Sequence, residues 1–398
     1  MKHLLQASWI APMDRPLLRD GAVVFDGLIR FVGDARKARR AHPDAQSQDL
    51  GQAILLPGLV NAHAHLELTD QMPQPLPAGG FIGWLAQRRA PRTEESIRQA
   101  VALATQQCLR FGVTAVGDIS KFAAVTRPLL KNGPLRIVSY GEVIGMCKGR
   151  HRFEPAFEAA TDAACAGDYL AIGISPHAPY TVDRAGYVRC RDTGLPLATH
   201  LAESPDEAEF LRDHTGPFRD LFERIGLWED FPEHFAGGPI RYAQSLGLLD
   251  RRALLAHVNY ADDDELAILA GGQASVVYCP RTHQYFGHPP HRWRDMLAAG
   301  INVAVGTDSC ASSADLNLVD DLRVLRRIAP DVPAQMLWEM ATVRAARAIG
   351  QEHRLGSLTV GKAADIVAFR AAGPDPLADI LHGDELPGAI WIGGRGVS

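Results

Sequence analysis

Eight short apolar segments recur along the middle of this chain, and stretches with helical periodicity separate them. The segments are residues 55–65, 113–120, 136–145, 170–176, 196–201, 253–259, 274–280 and 302–309. Strands that alternate with helices form parallel βαβ units, because two parallel strands need a long crossover between them. Eight such units have the size of a (β/α)8 TIM barrel, which takes ~250 residues. The sequence therefore predicts an α/β protein built around this barrel.

The two ends of the chain carry short strand patterns of a different kind. Residues 22–32 place Asp26-Gly27 between two apolar runs, which is a strong signal for a β-hairpin. Further short strands are expected at residues 364–369 and 389–392. We therefore predict a small β-sandwich domain that is built from both chain ends and lies beside the barrel. The expected parts are an N-terminal strand region, the barrel and a C-terminal strand region, at residues 1–55, 56–345 and 346–398.

Composition and charge limit the partners of this 398-residue chain. Hydrophobic residues make up 46% and charged residues 22%, close to the globular average, so disorder is not expected. The net charge of −5 disfavours a nucleic-acid polymer or an anionic membrane as the main partner. The six cysteines form no CxxC pair, and the first residues lack the apolar core of a secretory signal. We expect a cytoplasmic protein with reduced thiols.

Histidine and aspartate residues stand where the predicted strands end. His63 and His65 close the first strand, and residues at i and i+2 of a strand point to the same side. The fifth strand ends at His200, the sixth at His257 and the eighth at Asp308. A lone histidine is more often a hydrogen-bonded core residue, but the carboxyl ends of barrel strands all meet at one mouth. The predicted ligands of a divalent metal are His63, His65, His200 and Asp308.

The segments that carry these residues resemble the amidohydrolase superfamily. The similarity is to its chlorohydrolase and deaminase branch, which includes triazine hydrolases and the methylthioadenosine/S-adenosylhomocysteine and aminodeoxyfutalosine deaminases. The resemblance implies a metal at the barrel mouth and proton-transfer roles for Glu203 and His257. The segments with the strongest similarity are residues 56–65, 175–182, 199–204, 306–309 and 355–365.

One departure within the superfamily bears on the number of metal ions. The two-metal members of the superfamily resemble one another in that a metal-bridging lysine lies at the end of strand four. This chain has Ser175-Pro176-His177 there, and Lys148 lies in a loop beyond strand three. We therefore expect one divalent metal, with zinc favoured, although histidine and carboxylate ligands also suit iron and manganese.

The resemblance implies a deamination mechanism with three catalytic residues. Glu203 would take a proton from water and pass it to a ring nitrogen of the substrate. It lies three residues after His200, so a turn just after Leu201 is needed to bring it over the metal. His257 would hydrogen-bond the nucleophile or the developing oxyanion, and Asp308 would accept a second proton as ammonia leaves.

Four residues are candidates for substrate binding, and three of them have a structural alternative. His177 follows strand four and would contact the substrate, or make a structural hydrogen bond. Glu67 lies two residues past His65 and would bind a hydroxyl or amine, or form a salt bridge in its loop. Arg281 follows strand seven, and Trp84 would wall the pocket or belong to the core. A cationic rim of Lys148, Arg150, Arg152 and Arg281 would suit a substrate carboxylate.

The expected function is hydrolysis of a C–N bond at an amidine-like carbon of a heteroaromatic ring. An adenine nucleoside derivative such as aminodeoxyfutalosine or methylthioadenosine is the favoured small-molecule substrate. A guanine- or cytosine-type deaminase and a triazine-type chlorohydrolase are alternatives on the same site. An inactive, metal-free homologue that serves as a scaffold is an alternative of another class. The resemblance also raises the expectation of a homodimer.

Overall fold

The strands of this protein form two eight-stranded sheets. The structure is a computed structural model that describes residues 1–87 and 91–397. In chain order the strands are β1 (His3–Ile10), β2 (Leu18–Phe25), β3 (Ile29–Asp34), β4 (Gln46–Asp49), β5 (Ala53–Pro57), β6 (Leu59–Ala64), β7 (Val113–Ser120), β8 (Arg136–Val143), β9 (Leu170–Pro176), β10 (Leu197–Leu201), β11 (Ala253–His257), β12 (Ser275–Tyr278), β13 (Asn302–Val305), β14 (Ile366–Arg370), β15 (Ala389–Ile392) and β16 (Arg395–Val397).

Helices lie between the strands over most of the described chain. In chain order they are α1 (Ala35–Ala41), α2 (Gly80–Leu85), α3 (Glu94–Arg110), α4 (Ala123–Leu130), α5 (Phe153–Thr161), α6 (Arg184–Asp192), α7 (Asp206–Asp213), α8 (Gly216–Arg224), α9 (Gly238–Ser245), α10 (Asp263–Ala270), α11 (Pro280–Phe286), α12 (Trp293–Ala298), α13 (Leu318–Ile328), α14 (Ala334–Met340), α15 (Val343–Ala348) and α16 (Pro376–His382). Two short 3-10 helices span Leu66–Leu68 and Cys147–Arg152. Among the described residues, no helix has the length and apolar character that crossing a membrane requires.

The second sheet is the predicted parallel barrel. Its strands β6 to β13 are neighbours in sequence order, and a parallel bridge between Ala64 and Asp308 joins the last strand region to the first. Successive residues of β11 face different cores: Leu255 packs in the larger cluster with many of the helices, and Leu254 packs in a second cluster with neighbouring strands and α15. The strands are therefore buried on both faces, which explains their continuous apolar runs.

The first predicted segment, 55–65, is divided between the two sheets. Its beginning belongs to β5 of the first sheet, and its remainder forms β6 of the barrel. Only Gly58 separates the two strands, and a Cβ at Gly58 would collide with the side chain of Thr114 on β7. The apolar run hides this boundary because both strands are completely buried.

The first sheet combines strands from both ends of the chain, which confirms the predicted small β domain. Its order is β16-β15-β14-β5-β1-β2-β3, with β4 paired to β1, so that the strands form one continuous mixed sheet. The predicted hairpin is β2–β3, and the Asp26 carboxylate accepts the backbone N–H groups of Gly27 and Leu28 in its turn. The division of the chain at residues 55 and 345 stays a prediction.

A buried ion pair joins the barrel to the tail of the chain. Arg136 at the start of β8 donates from Nε to the Asp365 carboxylate over 2.6 Å, and both side chains are buried. The Asp365 carbonyl accepts the backbone N–H of Gly58. The same residue thus contacts β8 and the segment that leads into β6.

Candidate metal centre and active site

Residues from four barrel strands meet at the carboxyl end of the barrel. His63 lies in β6 and His65 just after it, His200 lies in β10, His257 ends β11, and Asp308 follows β13. Four of the eight non-glycine residues with positive φ in the described chain lie at these strand ends: Ala202, His257, Val258 and Asp308. Left-handed backbone at non-glycine residues costs energy and is concentrated at functional sites.

The distances among the four predicted ligands fit a single small cation. The Nε2 atoms of His65 and His200 are 3.3 Å apart, and Asp308 Oδ1 lies 3.4 Å from His65 Nε2 and 3.6 Å from His63 Nε2. A tetrahedral zinc site with bonds of ~2.0–2.1 Å has ligand atoms about 3.3–3.4 Å apart. The structure therefore brings the predicted ligands together at the spacing of a tetrahedral site.

Unpartnered nitrogen atoms in this cluster also suit a metal. Both ring nitrogens of His63 are buried, and neither has a hydrogen-bond partner among the described residues. His200 Nδ1 donates to the carbonyl of His177 over 3.0 Å, which leaves the lone pair of Nε2 directed away from the backbone. A hydrogen bond of this kind fixes the tautomer that a metal-binding histidine needs.

The charge states at the cluster are those that metal ligands require. Burial lowers the pKa of His65 to about 4, and it lowers the pKa of His200 well below the usual value of 6.5. Burial alone would raise the pKa of Asp308, but His63 and His257 hold it well below 3.8. At neutral pH the imidazoles of His65 and His200 are therefore neutral and the Asp308 carboxylate is ionised.

Glu203 lies beside this cluster because the chain turns where sequence analysis expected. Strand β10 ends at Leu201, and Ala202 has a left-handed φ of 49°. Glu203 Oε1 lies 3.4 Å from His257 Nε2, and both groups lie within 4.8 Å of a carboxylate oxygen of Asp308. Burial and the nearby Asp308 raise the pKa of Glu203 well above 4.5. The three predicted catalytic residues are thus in mutual contact range.

Glu207, which sequence analysis did not single out, holds this turn in place. Its buried carboxylate accepts the backbone N–H groups of Ala202, Glu203 and Ser204 at 2.9, 2.6 and 3.0 Å. Asn259 supports the turn from the other side by donating to the Glu203 carbonyl. Glu207 lies in the first turn of α7, where acidic residues are common, so the sequence gives no specific signal for this role.

His177 lies at the edge of the cluster. Its ring centroid is 4.8 Å from that of His200, and its carbonyl accepts the backbone N–H and Nδ1–H of His200. Its own Nδ1 is 2.9 Å from Thr181 Oγ1. The structure therefore places His177 next to the predicted ligands with a structural hydrogen bond, and its substrate contact stays a prediction.

Glu67 faces helix α4. It is 2% exposed, and its carboxylate accepts the backbone N–H of Phe122 and the hydroxyl of Thr126. Burial and the neighbouring Asp118 raise its pKa to about 8. These contacts hold the start of α4, and its proposed contact with a substrate hydroxyl or amine remains untested.

Arg281 is engaged with the loop that follows Asp308. Its guanidinium donates to the carboxylates of Asp315 and Asp321 and to the carbonyls of Asp315 and Asn317. Every nitrogen of the group thus has a protein acceptor. The structure does not bring Arg281 to the predicted ligands, and a substrate role for it remains a prediction.

Trp84 is partly buried in an aromatic cluster. Its ring stacks on Phe81 at 6.2 Å and meets Phe286 edge-on at 5.3 Å. This cluster joins α2 to α11, the helices after strands one and seven of the barrel. Arg150 of the predicted cationic rim lies 3.7 Å from Asp183, and Lys148 and Arg152 are exposed. Contact of these residues with substrate stays a prediction.

Comparisons with known proteins identify similar sequences and structures. A model of the amidohydrolase family matches residues 54–388. The 5-methylthioadenosine/S-adenosylhomocysteine deaminase of Moorella thermoacetica is 28% identical over 92% of this chain and 85% of its own length. The aminodeoxyfutalosine deaminase of Deinococcus radiodurans is 31% identical over 83% of this chain and 81% of its own.

Solved structures share the fold. The Helicobacter pylori aminofutalosine deaminase has a TM-score of 0.85 and 23% identity, with all of both chains covered, and at this identity it shows the fold alone. A Xanthomonas campestris adenosine deaminase with bound zinc has a TM-score of 0.80 and 25% identity, over 99% of this chain and 92% of that one.

Proposed function

We propose, from the membership of this chain in the amidohydrolase family, that it is a mononuclear metal-dependent aminohydrolase of adenine nucleoside derivatives. The reaction forms a C–O bond and breaks a C–N bond at an amidine-like ring carbon, and ammonia leaves. Aminodeoxyfutalosine and methylthioadenosine are the favoured substrates, since deaminases of such nucleosides are among its relatives. The observation that carries the proposal is the contact of Glu203 and His257 with the four-ligand cluster.

One zinc ion is the favoured cofactor. His63, His65, His200 and Asp308 would hold it, and their spacing is that of a tetrahedral site. A metal bound there lowers the pKa of water from ~15.7 to roughly 7, which supplies hydroxide at neutral pH. Strand β9 ends in Ser175-Pro176 without a lysine, which supports a single ion.

Glu203 would carry the first proton transfer. Its carboxylate accepts a proton from the attacking water and donates it to the ring nitrogen beside the reacting carbon. Because burial raises the pKa of Glu203, the carboxyl holds this proton readily before it passes on. The turn fixed by Glu207 keeps the group beside His257 during both steps.

His257 and Asp308 would assist at the same carbon. Burial lowers the pKa of His257 to about 3, so its imidazole is neutral. Its Nε2 is buried without a hydrogen-bond partner among the described residues and is free to bind the oxygen that attacks. Asp308, held ionised, accepts the second proton and releases it to the departing ammonia.

Ammonia release from a substrate panel tests the proposal. Zinc-reconstituted protein should release ammonia from methylthioadenosine, aminodeoxyfutalosine or adenosine faster than from guanine or cytosine, and should not dechlorinate a chlorotriazine. A preference for guanine, cytosine or the triazine would overturn the substrate assignment in favour of those alternatives. Protein that binds no metal and converts none of the panel would support the inactive scaffold. A cytoplasmic location and a homodimer stay predictions.

A further inference from the structure

We propose that Glu142 is a specificity-determining residue that binds a sugar hydroxyl of the substrate, an inference that rests on the proposed function. Glu142 is the penultimate residue of β8, and it pairs with Ser175 of β9. It is therefore placed at the same end of the barrel as the ligand cluster. His177 and His65 lie near its carboxylate.

The Glu142 carboxylate has no hydrogen-bond donor within residues 1–87 and 91–397. The nearest cation is Nζ of Lys121, which lies 3.9 Å from Oε1 and beyond hydrogen-bond distance. The Glu142 side chain is nevertheless only 7% exposed. The carboxylate oxygens of Glu142 are not completely buried, so a ligand or water can reach acceptor atoms that make no hydrogen bond to the described residues. A carboxylate in this state fits a ligand that supplies the donor.

The position of Glu142 indicates which part of the substrate it meets. Glu203 and Asp308 follow β10 and β13, and His257 ends β11. Glu142 lies near the end of β8, and His177 follows β9. A substrate whose ring reacts beside Glu203 can therefore extend the group attached to that ring toward the ends of β8 and β9. In a nucleoside this substituent is the sugar.

The charges around Glu142 favour a neutral donor. A substrate carboxylate would be repelled by Glu142, and Lys121 opposes a substrate ammonium group at the same place. A hydroxyl group donates to a carboxylate without adding charge, and a ribose offers two on adjacent carbons. The Glu142–Lys121 pair therefore fits the hydroxyl groups of an unmodified ribose.

Kinetics with adenosine, 2′-deoxyadenosine and 3′-deoxyadenosine test this role. Glu142→Gln should lower kcat/KM for adenosine about 10- to 100-fold, the range for a hydrogen bond to a charged group. The loss should be at least about tenfold smaller for one of the deoxynucleosides, because the hydroxyl that Glu142 binds is already absent. Glu158→Gln, the same change at an exposed position of α5, should leave all three values within twofold.

Calorimetric binding of inosine and its two deoxy counterparts gives a readout that does not need turnover. The dissociation constants should depend on the sugar hydroxyl and on Glu142 in the same way as kcat/KM does. The zinc content and the Tm of Glu142→Gln should stay near those of wild type. If wild type releases no ammonia but this binding pattern holds, the proposed function fails and Glu142 keeps its role. If Glu142→Gln lowers kcat/KM equally for all three nucleosides, or for none of them, the inference is wrong. Ammonia release by wild type would then still support the proposed function.

Discussion

The Nε2 atoms of His65 and His200 lie 3.3 Å apart, although 135 positions separate the two residues in the chain. Two neutral imidazoles that present ring nitrogens to each other at this distance need a cation between them or a shared proton. The neighbouring Asp308 Oδ1, 3.4 Å from His65 Nε2, makes the cation the better electrostatic match.

Removing one of these nitrogens should release the metal. His200→Ala should weaken zinc binding by more than the ~10- to 100-fold that loss of an outer-sphere partner costs, because a direct ligand is lost. Zinc content after dialysis against a weak chelator measures this. His151→Ala, at an exposed residue, should keep its zinc; equal zinc retention by both variants would contradict the ligand assignment.

Loss of the Glu203 proton acceptor should stop turnover and spare metal binding. Glu203→Gln keeps the size of the side chain but cannot take a proton from water. We expect kcat to fall by ~10²- to 10⁴-fold with zinc content unchanged. Steady-state kinetics and metal analysis of the same preparation check both points. Turnover near that of wild type would show that another group carries the proton.

Glu207 should affect catalysis through the position of Glu203. In Glu207→Gln an amide NH₂ group replaces one carboxylate oxygen. This group faces a backbone N–H, from which it cannot accept a hydrogen bond. We expect kcat to fall at least about tenfold, while KM and zinc content change little. Glu207→Asp, which keeps the charge, should recover part of kcat. An unchanged kcat in Glu207→Gln would mean that the turn does not need this carboxylate.

Glu207 should also give the folded state a pH dependence. Burial raises the pKa of its carboxyl to about 7 from 4.5, so the folded state holds this proton more tightly than the unfolded chain. Its contribution to the unfolding free energy is fully present below about pH 4.5 and is lost as the pH rises to about 7. Across this window wild type should lose on the order of 1–3 kcal/mol more than Glu207→Gln does.

Urea unfolding of zinc-saturated wild type and Glu207→Gln at several pH values measures this difference. The pH dependence of zinc binding is common to both proteins and cancels in the comparison. Identical slopes for the two proteins between pH 4.5 and 7 would show that Glu207 does not titrate there.

Substitution of Arg281 distinguishes a structural role of this residue from a substrate-binding role. Its guanidinium is buried and pairs with Asp315 and Asp321, so Arg281→Ala should lower the unfolding free energy by ~3–5 kcal/mol. Arg281→Lys should lose less, with KM unchanged. If Arg281→Lys instead raises KM at unchanged Tm, the side chain contacts substrate.

The fold could be predicted from the sequence because buried parallel strands are mostly apolar. Strands β7 and β9 have the predicted bounds, and the candidate ligands could be identified because they lie at the ends of such strands. The contacts of Glu67 were not accessible, since Phe122 and Thr126 lie 55 and 59 positions away and carry no local signal. Glu142 was accessible in principle, because an acidic residue within an apolar strand is an anomaly.

The pairing of β14 with β5 has a consequence for events at the ribosome. Strand β5 leads directly into β6, the strand that carries His63, yet one of its two sheet partners, β14, is made only after residue 365. Arg136 likewise meets its ion partner Asp365 from 229 positions further along the chain. The nascent polypeptide therefore contains every predicted metal ligand before β14 can pair with β5 and complete the sheet beside the first of them.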